Sequence, residues 1–212
     1  GGIISDSISD QTFINNRIME FRGATSADGG AGTGDVIIEN NNTLNFVGNS
    51  GAGSALITNN SGLSFLGSSS ADAAEITNNG VMTIGGAASG GTATYIGGDA
   101  AAVLDISLLT APSTSIGSIQ ELGTIRLGDN RLVVGGNNQN RTFGGTIEDG
   151  GLGGGVGGEL YKVGSGTLTL SGALSGSFNY TGLTTLAEGR IVVNYASLGD
   201  VLIDNADSML IL

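Results

Sequence analysis

Apolar and polar residues alternate with a period of two along much of the first half of the chain. In Leu44-Asn45-Phe46, Leu63-Ser64-Phe65 and Met82-Thr83-Ile84, two apolar residues flank a polar one. This alternation predicts strands with one buried and one exposed face, and it does not fit the helical period. Turn-forming Asn-Asn, Ser-Gly and Gly-Gly pairs separate the apolar stretches, so each predicted strand is short.

The alternating stretches recur every 19 residues, in three columns: Ile38, Ile57, Ile76 and Tyr95; Leu44, Leu63, Met82 and Ala101; and Phe46, Phe65, Ile84 and Val103. An earlier copy fits at 13–21, separated from the next by a glycine-rich insert at 26–35. One such coil cannot bury its apolar face alone, whereas stacked coils form a continuous core. The sequence therefore predicts an all-β fold, a parallel β-helix (β-solenoid) of roughly ten coils.

The length and the handedness of this solenoid follow from general rules. Neighbouring strands lie about 4.8 Å apart, so roughly ten coils make a rod about 50 Å long. Crossover connections between parallel strands are right-handed in nearly all proteins, and we expect a right-handed solenoid here.

Asparagines recur at the end of the first strand of each coil, at Asn40, Asn59 and Asn78. One interpretation is structural, because asparagine tolerates the backbone of a sharp corner and stacked amides hydrogen-bond as a ladder. The other interpretation is a row that binds a ligand or an ion. We favour the ladder.

Composition and charge narrow the class of protein. The net charge is −12, and Lys162 is the only lysine, beside six arginines. Nucleic-acid binding needs clustered basic residues, so the charge balance excludes it. Without cysteine there is neither a disulfide nor a cysteine metal site. The sequence has no run of 18 consecutive apolar residues, so it predicts no transmembrane helix.

Two glycine-rich stretches come close to known binding motifs. Residues 29–37 approach a calcium-binding nonapeptide but have one residue too many before Asp35, and the motif occurs once, whereas such sites need stacked copies. Residues 150–155 lack the following helix and the Lys-Ser/Thr pair of a phosphate loop. We interpret both stretches as loops between coils.

Carboxylates are the remaining candidates for chemistry. Glu148 and Asp149 are adjacent, so on a strand they point to opposite faces. Asp99 and Asp105 could share a face, but no basic residue is close in sequence. Acid–base catalysis needs two groups that converge on one substrate. The sequence therefore assigns no catalytic, cofactor-binding or metal-binding residue and no cofactor, and we expect a protein that is not an enzyme.

The second half carries a more specific pattern. Residues 160–172 read LYKVGSGTLTLSG, and residues 180–194 read YTGLTTLAEGRIVVN. Together they resemble the autotransporter-associated β-strand repeat, also called the passenger-associated transport repeat, with a longer linker at 174–178. The resemblance implies an exported passenger with a right-handed β-helical stem, threaded through an outer-membrane barrel of the same precursor.

These observations divide one solenoid segment, 1–212, into four parts. Coils of about 19 residues with the asparagine ladder span 1–107, lead-in coils with glycine-rich loops span 108–159, the transport repeat spans 160–194, and a further coil starts in 195–212. Short, uncharged runs at both ends lead us to expect continuation of the chain or end-to-end contact with other copies.

The expected function is a structural extracellular stem or spacer with a capacity for adhesion, secreted or at the surface of a Gram-negative bacterium. The expected partners are the translocator barrel, further copies of the chain and host or surface glycans, but not nucleic acid. The alternatives are a self-assembling extracellular fibre subunit and a carbohydrate-active β-helix domain.

Overall fold

The computed structural model describes residues 3–5, 10–29, 35–172, 178–194, 198, 200–205 and 207–212, with backbone alone at 3–5, 28 and 29. The described residues form 23 strands and no helix. The strands are β1 Ile3–Ser5, β2 Gln11–Asn15, β3 Ile18–Arg22, β4 Ala27–Gly29, β5 Val36–Asn40, β6 Thr43–Val47, β7 Leu56–Asn59, β8 Gly62–Phe65, β9 Glu75–Asn78, β10 Val81–Ile84, β11 Gly90–Gly97, β12 Val103–Asp105, β13 Ser113–Glu121, β14 Thr124–Arg126, β15 Arg131–Val134, β16 Arg141–Phe143, β17 Thr146–Glu148, β18 Glu159–Lys162, β19 Thr167–Leu170, β20 Thr184–Leu186, β21 Arg190–Val193, β22 Val201–Ile203 and β23 Met209–Ile211.

The strands stack into a parallel β-solenoid of about eight turns, slightly fewer than the roughly ten predicted. The first face runs β2-β5-β7-β9-β11-β13 and continues through β16, β19, β21 and β23. The second face is a sheet of seven strands, β3-β6-β8-β10-β12-β14-β17. In the N-terminal coils the third face consists of isolated β-bridges between neighbouring coils. In the C-terminal coils it is a sheet of strands in the order β13-β15-β18-β20-β22. The long strand β13 takes part in the first and third faces, which joins them into one sheet.

The predicted core columns are confirmed on the second face. Leu44 pairs with Leu63 and Leu63 with Met82, while Phe65 lies between Phe46 and Ile84. The earlier copy is also in register, because Phe21 pairs with Phe46. The three phenylalanine rings form a nearly parallel stack, with centroids 4.7 and 4.8 Å apart.

One part of the predicted alignment is wrong. Met82 pairs with Leu104 and Val81 with Val103, so Ala101 does not continue the leucine column and Val103 does not continue the phenylalanine column. The physical reason is a turn before β12, in which the carboxylate of Asp99 accepts hydrogen bonds from the backbone N–H groups of Ala101 and Ala102. This turn adds residues to the coil before the next apolar side chain enters the core. Tyr95 pairs with Ile76, as predicted.

A single buried apolar core extends along the solenoid from Phe21 to Val193. Inward-facing aliphatic side chains fill it at nearly every level, because side chains on a strand alternate between its faces. The loop between β17 and β18 contains the glycine-rich residues 150–155, as predicted. Parts of two other predicted features, the insert at 26–35 and the linker at 174–178, lie outside the described residues.

Candidate functional site

The predicted asparagine row forms a buried ladder at the corner between the first and second faces. Each Nδ2 donates to the Oδ1 of the next coil at 2.7 Å, from Asn15 to Asn40, from Asn40 to Asn59 and from Asn59 to Asn78. The amides also donate to backbone carbonyls, such as Asn40 to Gly62 at 2.9 Å. All four side chains are buried. Because their polar atoms are engaged with one another and with the backbone, this row is structural.

The buried ladder ends at Tyr95. Asn78 Nδ2 donates to the Tyr95 hydroxyl at 3.2 Å, and the strand pairing places Gly97 where the next asparagine would stand. A Cβ at Gly97 would lie 1.8 Å from the carbonyl oxygen of Leu122, so no larger residue fits there. Burial raises the pKa of Tyr95 to about 12, partly offset by the bond from Asn78 and reinforced by the charge of Asp99.

A second amide ladder runs along the outside of the same corner. Asn79 Nδ2 donates to Asn60 Oδ1 at 2.8 Å, Asn60 donates to Asn41 at 2.9 Å, and Asn41 donates to Asn16 at 3.1 Å. We call these four residues the exposed amide row. Its donors point towards the N-terminal coil, opposite to those of the buried ladder. The 19-residue recurrence includes this row, directly after Asn40, Asn59 and Asn78, but the sequence alone assigned it no role.

Asp99 and Asp105, which could have shared a face, lie in different environments. Asp99 caps an exposed turn, whereas Asp105 is 1% exposed. Asp105 accepts hydrogen bonds from the hydroxyl of Ser107 at 2.6 Å and from the backbone N–H of Leu152 at 2.8 Å. The Ser107 hydroxyl in turn accepts from Gly153 N–H at 2.8 Å. This buried carboxylate therefore fastens the 150–158 loop to an earlier coil.

Glu148 and Asp149 make different contacts, and only Glu148 belongs to strand β17. Glu148 pairs with Arg126 at 3.2 Å. Asp149 accepts hydrogen bonds from Thr181 Oγ1 at 2.6 Å and from the N–H groups of Thr181, Gly157 and Gly158. Burial alone would raise the pKa of Asp149, but these hydrogen bonds outweigh it and lower the pKa.

Lys162 is 1% exposed, which is unusual for a lysine. Its Nζ donates to the carbonyl oxygens of Val163, Gly164 and Glu188 at 2.6, 2.8 and 3.3 Å. Burial lowers the pKa of Lys162 to about 8, and the nearby charge of Glu188 partly offsets this effect. With every donor directed at a backbone carbonyl, the ammonium group fastens the turn after β18.

One cleft on the third face combines charged and aromatic groups. Arg131 binds Glu159 at 2.6 Å, and its guanidinium carbon lies 5.4 Å from the centroid of the Tyr161 ring. This open cleft has a volume of about 250 Å³, and its lining residues are Pro112, Ser113, Asp129, Arg131 and Glu159. Glu159 and Tyr161 thus hold the guanidinium group of Arg131 from two sides.

Two features, a cluster of metal-ligating side chains and a membrane-spanning helix, are absent from the described part of the chain. It contains no group of three or more side chains suited to a metal ion. The calcium-like stretch 29–37, predicted to be a loop, lies partly outside the described residues. No helix within the described ranges is long and apolar enough to cross a membrane.

Comparison with known proteins gives no match. No family model, no curated protein and no solved structure is similar to this chain. The function must therefore be inferred from the fold and the side chains.

Proposed function

We propose that this chain is a rigid extracellular stem or spacer of an autotransporter-type surface protein, carried by its solenoid and without catalytic activity. The observation that carries the proposal is the single buried core that extends from Phe21 to Val193. A rod of stacked coils keeps its two ends apart, because every coil is fixed to its neighbours by backbone hydrogen bonds and shared side-chain columns.

The transport-repeat motif at 160–194 supports this proposal through the roles of its residues. Lys162 ties three carbonyls together, and the backbone of Gly164 adopts a positive φ of 71°. A Cβ at Gly164 would also approach the carbonyl oxygen of Gly135 to 2.3 Å. These motif positions thus have physical reasons for lysine and glycine, as expected of a structural repeat. On this proposal the partner is the translocator barrel of the same precursor, and the location is the surface of a Gram-negative bacterium.

Surface display tests the proposed function. The chain is fused to an outer-membrane translocator barrel in a Gram-negative host, with an epitope at the N-terminus, and intact cells are treated with protease. We expect the epitope at the surface and a protease-resistant stem, and the matched Phe65→Asp variant should be displayed as a digestible chain. Retention of the native chain in the periplasm, or its complete digestion at the surface, would contradict the proposal.

A self-assembling fibre subunit is the second candidate function. The strands β22 and β23 expose apolar side chains, with Leu202 at 46% and Met209 at 48% exposure. Exposed apolar side chains that lie close together favour contact with another copy. Light scattering over a range of concentrations tests this candidate: growth in mass with concentration supports it, and a constant monomer mass contradicts it.

A further inference from the structure

The exposed amide row is a regular array of hydrogen-bonding groups on the surface. It places one amide per coil at Asn16, Asn41, Asn60 and Asn79. Within the row, the Oδ1 atoms of Asn16, Asn41 and Asn60 each accept one hydrogen bond, and a carbonyl oxygen can accept two. The Nδ2 groups of Asn60 and Asn79 each make one hydrogen bond and keep a second hydrogen. The row can therefore bind a further polar ligand without giving up its internal bonds.

These amides are held in place before any ligand arrives. The neighbouring amides fix the side chains, and the backbone N–H groups of Asn41, Asn60 and Asn79 bond to carbonyls of the preceding coil at 2.7–2.8 Å. Groups that are already ordered lose little conformational freedom on binding. The half-buried Thr58 and Thr77 flank the row on the outward side of β7 and β9 and add hydroxyl groups.

Spacing and charge select the class of ligand. Adjacent coils lie about 4.8 Å apart, whereas residues of an extended peptide advance about 3.3 Å each, so a peptide parallel to the rod falls out of step. An extended β-1,4-linked polysaccharide has nearly one sugar residue for each strand spacing and carries hydroxyl groups along both edges. The net charge of −12 repels polyanions.

We propose that the exposed amide row binds an uncharged β-1,4-linked polysaccharide that lies along the rod, with one sugar residue per coil. This inference rests on the proposed function, because it gives the extracellular stem an adhesive face. Each sugar donates hydroxyl hydrogen bonds to the amide oxygens and accepts from the free Nδ2 hydrogens. Several weak contacts in register add up along a rigid array.

Affinity electrophoresis in native gels tests this proposal, with hydroxyethylcellulose as the soluble, uncharged β-1,4-glucan. We expect the native chain to be retarded, and the double variant Asn41→Ala/Asn60→Ala to lose about tenfold in affinity, since two amide contacts disappear. The matched control Asn49→Ala removes an exposed asparagine outside the row and should retain binding. Gels with dextran, an α-linked glucan, should not retard the chain.

Three results would overturn the proposal: an unretarded native chain, equal retardation of the double variant, or equal retardation in dextran. The thermal unfolding transition of the double variant shows that its fold is intact. A chain that is displayed as a resistant stem but ignores hydroxyethylcellulose removes the polysaccharide proposal and leaves the stem proposal standing. A chain that binds hydroxyethylcellulose but is not displayed removes the stem proposal and leaves the polysaccharide proposal standing.

Discussion

The coils of residues 10–107 and those of residues 108–194 achieve the same stacking by different means. The first region repeats its interactions, because the phenylalanine stack and the two amide ladders place the same side chain at the same point of successive coils. The second region uses single fasteners, Asp149 and Lys162, and its 150–158 loop is also held by Asp105 of the first region. Each of these residues makes a set of contacts that occurs once.

This difference teaches that regularity and stability are separate properties of a solenoid. A ladder spreads its contribution over many identical contacts, so its members depend on their neighbours. A single fastener lets the coil length vary, because a carboxylate or an ammonium group can bond the N–H or C=O groups of an irregular loop. The glycine-rich loop at 150–158 is tolerated because Asp105 and Asp149 hold its two ends.

The largest effect is expected in the core of the repeated region. Phe65→Asp places an unpaired charge against the stacked ring of Phe46, at a cost of several kcal/mol. Denaturant unfolding followed by circular dichroism measures the loss. The matched variant Ser64→Asp puts the same charge on the outward side of β8 and should change stability by less than about 0.5 kcal/mol. Similar losses in the two variants would contradict the assigned register.

The two ladders should differ sharply when an amide is removed. Asn59→Ala leaves the Nδ2 of Asn40 and the Oδ1 of Asn78 without their ladder partners in a buried site, and we expect a loss of about 2–3 kcal/mol. Asn60→Ala removes the neighbouring amide from the exposed row and should cost about 0.5 kcal/mol or less. Chemical denaturation of both variants makes the comparison, and equal losses would mean that burial does not separate the two ladders.

Lys162 should make the stability of the second region depend on pH. Its folded pKa of about 8 lies below the ordinary 10.5, so the unfolded chain binds more protons between these values. Stability should therefore rise as the pH increases above 8, by about 1 kcal/mol up to pH 9. The pKa values of Tyr95 and Tyr180, raised to about 12 by burial, reverse the trend above pH 10.

Urea unfolding at pH 7.5, 8.5 and 9.5 measures this rise in the free energy of unfolding. The Lys162→Met variant keeps the length of the side chain without its charge and should show no rise. A rise of the same size in the variant would assign the effect to another group.

An effect of similar size is expected at Asp149. Asp149→Asn replaces an acceptor of four hydrogen bonds and should cost about 1 kcal/mol at pH 7. The folded pKa is lowered, so this contribution is present above the ordinary value of 3.8 and is lost as the pH falls below it. Thermal unfolding at pH 7 and pH 3 measures the difference, which should shrink at pH 3. The exposed Glu75→Gln serves as the control, and an equal loss there would contradict the account.

The sequence predicted the parts of the fold that depend on local pattern. Alternation at Leu44 and Phe46, with its 19-residue recurrence, was sufficient for the strands, the parallel stacking and the buried ladder. The position of Leu104 was not predictable, because the turn after Gly98 adds residues that have no alternation. The fasteners were equally hidden, since Asp105 and Leu152 are 47 residues apart. A sequence pattern reports which side chains enter the core, but not which distant backbone group a polar side chain will meet.

Distances between spin labels along the second face test the parallel stacking most directly, and the chain has no cysteine to interfere with labelling. Cysteine pairs at Val81 and Thr124, Thr43 and Thr124, and Ile18 and Thr146 lie two, four and six strands apart in one register column. At about 4.8 Å per strand, pulsed electron paramagnetic resonance should give backbone separations of about 10, 19 and 29 Å, in equal steps. Distances that do not grow with the number of intervening coils would contradict the solenoid.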